Sequence, residues 1–559
     1  MAAEELNILI GGEAGQGLVT IGQLLGKALV RSGYELLVTQ SYQSRIRGGH
    51  NTFALRTGVA KILGPKRQLD LLVALNRETI ELHNGELGPD GLVVADGSIG
   101  SDVENCLSVP FNELASPRLL NTAALGILGA ILGLDLPLLV RLMEELLGKK
   151  HPESLEDNRT ALTNSYRWAT EHRPRGVHTL AEAQAPAGRM MLNGNEAVAL
   201  GALAAGVKFC AFYPMTPSTS VVLNLIAYAE TMGCVVEQAE DEIAAINMAL
   251  GASFAGAPSM VATSGGGFAL MTEGVSLAGM TETPIVIVVA QRPGPATGLP
   301  TRTEQGDLSF VLHAGHGEFP RAIFTPGSVE ACYRLTHKAF HLAESSQSPV
   351  FVLTDQFLAD SYRAMDLFDL TDMAPVVPGA KEVPEDLPYR RYALCEGGIS
   401  PRLVPGLSPH LVVADSDEHT EDGHITEDLA VRKAMVEKRM SKLGRIRQDI
   451  VPPAFEGERG ADRLLVSWGS AEGPVQEAAR ELKRHGGSVS TLHFDQAWPL
   501  VPEQFLNELR SAKEVVCVEG NATGQFSRLI RREAGFEIEK LVLRYDGLPL
   551  TAEYIVNAL

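Results

Sequence analysis

Short, uninterrupted apolar runs recur along this chain, each followed by a turn rich in glycine, proline or serine and then by a stretch of helical periodicity. The first is Ile8-Leu9-Ile10, followed by Gly11-Gly12-Glu13-Ala14-Gly15-Gln16-Gly17, a helical pattern to about residue 32 and a second apolar run at 36–39. A run with no polar alternation predicts a strand covered on both faces, and a helix between successive strands turns them parallel. The chain is therefore expected to be α/β throughout. Runs at 71–74 and 92–95 carry the pattern to roughly residue 180, where Arg173-Pro174-Arg175-Gly176 and the Pro/Ala/Gly-rich stretch 181–188 form a joint. A second alternation has helix 196–205, strand 209–213, strand 234–236, helix 241–255, strand 260–263, a helix from 268, strand 285–289 and a last strand at 350–353. Residues 374–388, with prolines at 375, 378 and 384, read as a linker, and 427–442 as a mixed-charge helix expected to be a solvated face. After Pro452-Pro453 a third alternation follows, with strands at 464–467, 489–494 and 515–519 and helices at 475–485 and from 502.

At about 150 residues per domain, the length of 559 residues predicts about three or four domains. With 48 Lys+Arg against 68 Asp+Glu the net charge is −20, which repels phosphodiester backbones and anionic membrane surfaces, so neither nucleic acid nor membrane is an expected partner. The apolar stretch 122–140 is interrupted by Asp135 and Pro137 and is expected as buried helix, not a membrane span. Six cysteines lie far apart with no CxxC pair, so they read as ordinary thiols rather than ligands of a metal or cluster. The first residues lack a signal-peptide pattern, and the expected compartment is the reducing cytoplasm.

Several turns carry chemistry. Gly12-x-x-Gly15-x-Gly17 lets backbone N–H groups approach a phosphate at a helix start. Thr20 stands where the third glycine of a dinucleotide fingerprint belongs, so an ordinary tight turn competes with that reading. Arg45 and Arg47, beside Gly48-Gly49, form either a phosphate fork or, on the plainer reading, a surface turn or a subunit contact. Tyr213-Pro214-Met215-Thr216-Pro217-Ser218 follows a strand of a parallel sheet, where α/β folds bind ligands, and its prolines aim the Thr216 hydroxyl. In helix 241–255 Glu242 is followed by Ala244, Ala245, Gly251, Ala252 and Ser253, a face that something flat or another backbone can approach. Favourable pairing with the helix dipole equally accounts for any one of Glu240, Asp241 and Glu242. Thr263-Ser264-Gly265-Gly266-Gly267 reads as a glycine-rich strand-to-helix turn able to form an anion or cofactor wall. Gln291-Arg292-Pro293-Gly294-Pro295 and Thr301-Arg302-Thr303-Glu304-Gln305 add two arginines near a strand end, each a ligand cation or a surface charge.

In this order the Tyr213 to Ser218 run, Glu242-x-Ala-Ala with Gly251-Ala252-Ser253, the Ser264-Gly265-Gly266-Gly267 turn and Gln291-Arg292-Pro293-Gly294-Pro295-x-Thr297-Gly298 resemble the 2-oxoacid:ferredoxin oxidoreductase α subunit. The likeness is to the 2-oxoglutarate type, in which a γ-type domain precedes the α part. The opening glycines, the run from Ser41 to Gly49 and Asp70-Leu71-Leu72-Val73-Ala74-Leu75-Asn76 match the γ-type domain. Glu519-Gly520-Asn521-Ala522-Thr523-Gly524-Gln525 looks like a transketolase-C-like domain. The implied architecture is multidomain α/β: a parallel-sheet γ-type domain on the coenzyme A side at 1–185, a pyrimidine-type thiamine-diphosphate-binding domain at 186–373, a linker region with a charged helix at 374–460, and the transketolase-C-like domain at 461–559.

The resemblance implies oxidative decarboxylation of a 2-oxoacid on thiamine diphosphate, electrons to ferredoxin and the acyl group to coenzyme A, with the reductive direction open. It makes Glu242 the acid that hydrogen-bonds the aminopyrimidine, Thr216 a substrate contact, and Arg292 or Arg302 the cation for the substrate carboxylate. Tyr213, Pro214, Ser264, Gly265 and Gly266 are implied as cofactor contacts, with Gly15, Gly17 and Arg47 on the coenzyme A side. No Gly-Asp-Gly stretch for Mg²⁺ and the diphosphate occurs in the sequence. A β subunit is therefore expected to carry the Mg²⁺–diphosphate site and a 4Fe–4S cluster, in an (αβ)2 assembly. The competing expectations are an oxidoreductase for a branched-chain or aryl 2-oxoacid, and a non-catalytic subunit binding coenzyme A or a nucleotide.

Overall fold

The structure is a computed structural model that describes residues 2–43, 49–100, 102–148, 152–174, 179–184, 188–371, 373–379, 383 and 388–559. The chain divides into two units. The first comprises Met1–Asn193, Asp360–Phe368 and Thr551–Glu553, and the second Gly194–Ala359, Asp369–Leu550 and Tyr554–Leu559.

The first unit is built on an eight-stranded sheet in the order Cys106–Val109, Leu87–Asp96, Leu69–Ala74, Glu5–Glu13, His50–Gly58, Glu35–Ser41, Tyr362–Met365 and Met190–Leu192. From Leu6 to Gly12 every residue of the Glu5–Glu13 strand is buried, as an apolar strand covered on both faces must be. Strands Glu5–Glu13 and Glu35–Ser41 run in the same direction across the Leu18–Arg31 helix, but His50–Gly58 lies between them, antiparallel to both. The 122–140 stretch forms parts of two helices, Leu120–Leu132 and Leu136–Leu147. Gly133 ends the first at φ 74°, a left-handed conformation that glycine adopts without strain, and the Asp135 carboxylate caps the second by accepting from the Leu138 N–H at 3.2 Å. Among the described residues no helix is long and apolar enough to cross a membrane.

The second unit holds two sheets. Seven strands lie in the order Val235–Gln238, Phe209–Phe212, Ser259–Thr263, Ile285–Gln291, Pro349–Asp355, Ala322–Phe324 and Gln496–Trp498, all parallel except the last. From Phe209–Phe212 the chain first adds Val235–Gln238 on one side and then Ser259–Thr263 on the other. The order of strands thus reverses between Phe209–Phe212 and Ser259–Thr263, and a crevice opens at their carboxyl ends at such a switch point. The other sheet has the order Ala454–Glu456, Val489–Phe494, Arg463–Trp468, Glu514–Glu519 and Lys540–Leu543, the first strand antiparallel.

The helix Leu429–Ser441 departs from the solvated face expected of it. Lys438, and Lys442 just beyond the helix, are buried, and both ammonium groups reach the buried Glu282 carboxylate, Lys438 at 2.7 Å. Arg391 closes the cluster by donating to the Glu282 carbonyl at 2.7 Å. Burial alone would raise the Glu282 carboxyl, but Lys442, Lys438 and Arg391 outweigh it and bring it down to about 2. Burial pushes the Lys442 ammonium down to about 7 against the opposing pull of Glu282. The helix reads as solvated from its own composition because its partner stands 156 residues away.

Candidate functional site

The motif-bearing turns gather at the switch point. Tyr213 to Ser218 leaves the end of strand Phe209–Phe212, and Ser264 leaves the end of Ser259–Thr263. The helix Glu242–Phe254 follows Val235–Gln238. Asp241 is the N-cap of this helix, its carboxylate accepting from the Ala244 N–H at 2.7 Å. The capping role is thereby filled by Asp241, and Glu242, in the first turn, is left for something else. Glu242 is only 4% exposed, and its Oε1 is shut off from solvent without a hydrogen-bond partner.

Gly265 to Gly267 are already helical, forming the first turn of Gly265–Met280 rather than a turn ahead of it. Their lack of side chains makes room for neighbouring groups. A Cβ on Gly267 would collide with Glu242 Oε1 and Thr263 Oγ1, and one on Gly265 would collide with Asp307 Oδ2. One on Gly266 would meet its nearest neighbour, the Ala296 carbonyl, at 3.5 Å. Ser264 stands at the N-cap position, yet its hydroxyl makes no cap bond, is fully buried and has no partner. Three buried polar atoms without partners, Glu242 Oε1, Ser264 Oγ and Asp307 Oδ2, therefore surround this bare helical turn. Each such atom costs free energy until a ligand or water satisfies it.

Arg292 joins the first strand's turn to this group by donating from Nη1 to the Thr216 carbonyl at 2.7 Å. Asn195, buried on the helix Gly194–Ala204, braces the same turn by donating to the Pro217 carbonyl at 2.7 Å. Tyr213 and Pro214 are exposed and Thr216 is half-buried. Arg302 is placed differently: its side chain runs beside Gly547 of the C-terminal sheet region, where a Cβ on that glycine would lie 3.1 Å from Arg302 Cβ.

Three glutamines outside the expected set of site residues hold the site together. Gln291 Oε1 accepts from the Asp307 N–H at 2.9 Å while Gln291 Nε2 donates to the Thr354 carbonyl. Gln305 accepts from the Gly520 N–H at 2.7 Å, and its own N–H donates to the Gly520 carbonyl at 2.6 Å. Gln525 donates to the Gly306 carbonyl at 2.6 Å. The loop carrying Asp307 is thus clamped to the Glu519–Gln525 segment. Glu519, itself buried, shapes that segment by accepting from Trp468 Nε1, Asn521 Nδ2 and the N–H groups of Phe526 and Ser527. Burial pushes the Asp307 carboxyl up to about 6, against the lowering pull of Arg292. Burial also lowers Arg292, which Asp307 opposes. The only sequence signal for Asp307 is its place two residues after the Thr301 to Gln305 run.

In the first unit Gly15 and Gly17 take φ 99° and 72°, and Gly17 precedes Leu18–Arg31 with no side-chain cap. Among the described residues, its two chain neighbours aside, nothing lies within 4 Å of where a Cβ on Gly15 would sit. Arg47 lies outside the described residues. Among the described residues no group of three or more His, Cys, Asp or Glu side chains could hold a metal, and the stretch 415–424 is spent internally, with Glu418 paired to Arg432 and Arg439. All six cysteines are free thiols.

Comparison with known proteins gives these features a family. Residues 200–438 match the family model for the thiamine-diphosphate-binding region of pyruvate flavodoxin/ferredoxin oxidoreductase, and residues 7–168 match that for pyruvate ferredoxin/flavodoxin oxidoreductase. A 2-oxoacid:ferredoxin oxidoreductase subunit alpha from a Sulfolobus species is 30% identical over alignment covering 99% of this chain and 96% of the relative. The chain belongs to the 2-oxoacid:ferredoxin oxidoreductase family, as an alpha subunit. Within the family, the 2-oxoglutarate oxidoreductase subunit KorA of Mycobacterium tuberculosis is 27% identical, with 99% of this chain and 90% of that protein covered. The solved 2-oxoglutarate:ferredoxin oxidoreductase of Magnetococcus marinus, determined with 2-oxoglutarate, coenzyme A and succinyl-CoA bound, superposes with a TM-score of 0.92 at 33% identity, covering 99% of each chain. The family is one of oxidoreductases whose alpha subunit works in a complex.

Proposed function

We propose that this alpha subunit supplies the pyrimidine-side wall of a thiamine diphosphate site and acts on 2-oxoglutarate, with the acyl group passing to coenzyme A and electrons to ferredoxin. The observation that carries this reading is the set of partnerless buried atoms, Glu242 Oε1 foremost, around the side-chain-free turn Gly265 to Gly267. A planar ring with nitrogen donors and acceptors fits such a set, because it meets buried polar groups that no residue of the chain meets. When bound, thiamine diphosphate supplies an electron sink for decarboxylation. Glu242 would hydrogen-bond the aminopyrimidine, a charged acceptor in a dry crevice making a strong hydrogen bond to a ring nitrogen. Ser264, Gly265 and Gly266 would wall the ring, with Tyr213 and Pro214 at its mouth.

Thr216 would contact the carboxylate and carbonyl end of the substrate. Arg292, held by the Thr216 carbonyl, is better placed to neutralise that carboxylate than Arg302, which packs along Gly547. The choice of 2-oxoglutarate rests on the substrate named for the Mycobacterium tuberculosis and Magnetococcus marinus proteins. The first unit, with Gly15, Gly17 and Arg47, is assigned to coenzyme A.

A β subunit would bring Mg²⁺, the diphosphate pocket and a 4Fe–4S cluster, in an (αβ)2 complex. Exposed apolar side chains beside the site suit such a partner: Ile243 and Met248 on the Glu242 helix, Leu270 on the glycine-led helix, and Leu223 and Ile226 on Thr219–Met232. The test is co-expression with the β subunit, followed by assay of cofactor content and of dye reduction with several 2-oxoacids. The expected result is a brown complex holding thiamine diphosphate and reducing dye fastest with 2-oxoglutarate. Preference for a branched-chain or aryl 2-oxoacid would overturn the substrate, and thiamine diphosphate held by this chain unaided would overturn the shared site.

A further inference from the structure

Asp307 is an odd residue to find at a site that must receive an anion. Its Oδ2 is closed off from solvent, has no hydrogen-bond partner and lies against the Gly265 backbone in the bare helical turn. The peptide that leads into it is held at both its polar groups: the Asp307 N–H donates to Gln291 Oε1, and the Gly306 carbonyl accepts from Gln525 Nε2.

The charged groups that act on it are few. Arg292, from the turn after strand Ile285–Gln291, favours its ionised form, and Glu304 is the other acid of its own loop. From the glycine-led helix it faces the uncharged Gly265, and Glu242 stands at Gly267, one residue beyond Gly266. From the C-terminal segment the neutral amide of Gln525 donates to the neighbouring Gly306 carbonyl.

An anion drawn to Arg292 cancels the one positive charge that favours ionised Asp307 and adds a like charge beside it. Both changes favour the protonated carboxyl.

We propose that capture of the 2-oxoacid carboxylate at this site is coupled to uptake of one proton from solvent by Asp307. A hydronium ion or buffer acid gives its proton to the ionised Asp307 carboxylate at Oδ2, so that the donor's bond to hydrogen breaks, an O–H bond forms and the donor's conjugate base stays in solution, and the charge brought in by the substrate carboxylate is balanced without loss of the Arg292 charge. Asp307 is thus a positioning residue that tunes Arg292, and substrate affinity rises as the pH falls toward the carboxyl's own range. This inference rests on Arg292 as the carboxylate anchor.

The experiment uses the assembled α/β complex and glutarate, a dicarboxylate without the reactive 2-oxo group. Calorimetric titration at pH 7 in two buffers of different ionisation heat gives the number of protons taken up on binding. A carboxyl that titrates at about 6 when the site is free is nearly all ionised at pH 7, so the uptake can approach about 0.9 proton. The expected result is uptake of more than about 0.3 proton in the wild type, none in Asp307→Asn, and a fall in glutarate affinity from pH 6 to pH 8 only in the wild type. No uptake by the wild type, which is read without any variant, overturns the proposal, as does unchanged uptake in Asp307→Asn. Arg292→Gln separates the two readings: unchanged glutarate affinity in that variant overturns the assignment of the anchor, whereas lost affinity with an unaltered wild-type proton count of zero overturns the coupling alone.

Discussion

Replacing Glu242 by Gln should make the cofactor-free protein more stable and the loaded enzyme nearly inactive. The carboxylate sits at the start of a 13-residue helix, 4% exposed, and its Oε1 has no partner. Leaving a buried polar atom unpaired costs about 1–3 kcal/mol, more when it is charged than when it is neutral. Against this, the helix dipole returns about 0.3–1 kcal/mol to an acid in the first turn. The isosteric amide keeps the volume and is itself unpaired, so it recovers only the excess cost of a buried charge over a buried amide and loses the dipole gain, and the net change is a stabilisation of at most about 1 kcal/mol. In a unit of this size that corresponds to a rise of at most about 1–2 °C in Tm. Differential scanning calorimetry on the α/β complex stripped of thiamine diphosphate reads it. The same variant, reloaded, should lose about 10²–10⁴-fold in turnover, the range for a group that directs proton transfer, and thiamine diphosphate should raise its Tm less than it raises that of the wild type. A variant less stable than the wild type, or one whose turnover stays within tenfold, would refute the argument that this carboxylate is held at a cost for the sake of a ligand.

The buried lysine cluster should make stability depend on pH in a definite direction. Lys442 titrates at about 7 in the folded chain against an ordinary 10.5, so between those values the unfolded chain binds the extra proton and stability rises with pH. The unfolding free energy of the wild type should therefore gain on that of Lys442→Met by up to about 1.4 kcal/mol per pH unit between pH 7.5 and 9, measured by urea titration; a difference that is flat or falls with pH would show that Lys442 keeps its proton when folded. Gln305→Leu should strand the Gly520 N–H and the Trp468 carbonyl, which Gln305 now meets at 2.7 and 3.0 Å, at a cost of about 1–3 kcal/mol. Because the loop it holds also carries Asp307, KM for the 2-oxoacid should rise more than kcat falls in steady-state assays, and an unchanged KM would mean the clamp does not position the site.

Much of the framework was legible because it depends on local patterns. The apolar runs at 259–263 and 285–291 are buried at every residue, as doubly covered strands require, and their uniform hydrophobicity says so without any tertiary information. That Glu242 begins a helix at the carboxyl edge of the sheet follows from the same alternation. The strand His50–Gly58 was not legible, since only Phe53, Leu55, Thr57 and Gly58 are buried and it begins with His, Asn and Thr after two glycines, so it carries neither a continuous nor a clean alternating signal. Asp307 was not legible for a different reason. What marks it out is a missing hydrogen bond, a contact with Gly265 and a clamp from Gln525, 219 residues from Gly306. Lys438 and Lys442 belong to the same class: a charge is solvated by default unless its buried partner is known, and Glu282 lies far away in the chain.

Asp241 and Glu242 show why geometry can separate function from propensity where composition cannot. Both are acids at one helix start, and the dipole favours both alike. One carboxylate is consumed, since it accepts from the Ala244 N–H and lies at the cap. The other adds nothing to the cap and is buried with an oxygen unmet, in contact distance of a glycine that no larger residue could replace without pushing it aside. Folding alone has no use for that second arrangement: Ala at 242 would start the helix as well and bury no charge. The same holds for the Ser264 hydroxyl, which occupies a cap position yet does not cap. Three such costs lie at one helical turn, beside a switch point whose neighbouring helices leave apolar side chains bare, and a bound ligand that met these atoms would offset them.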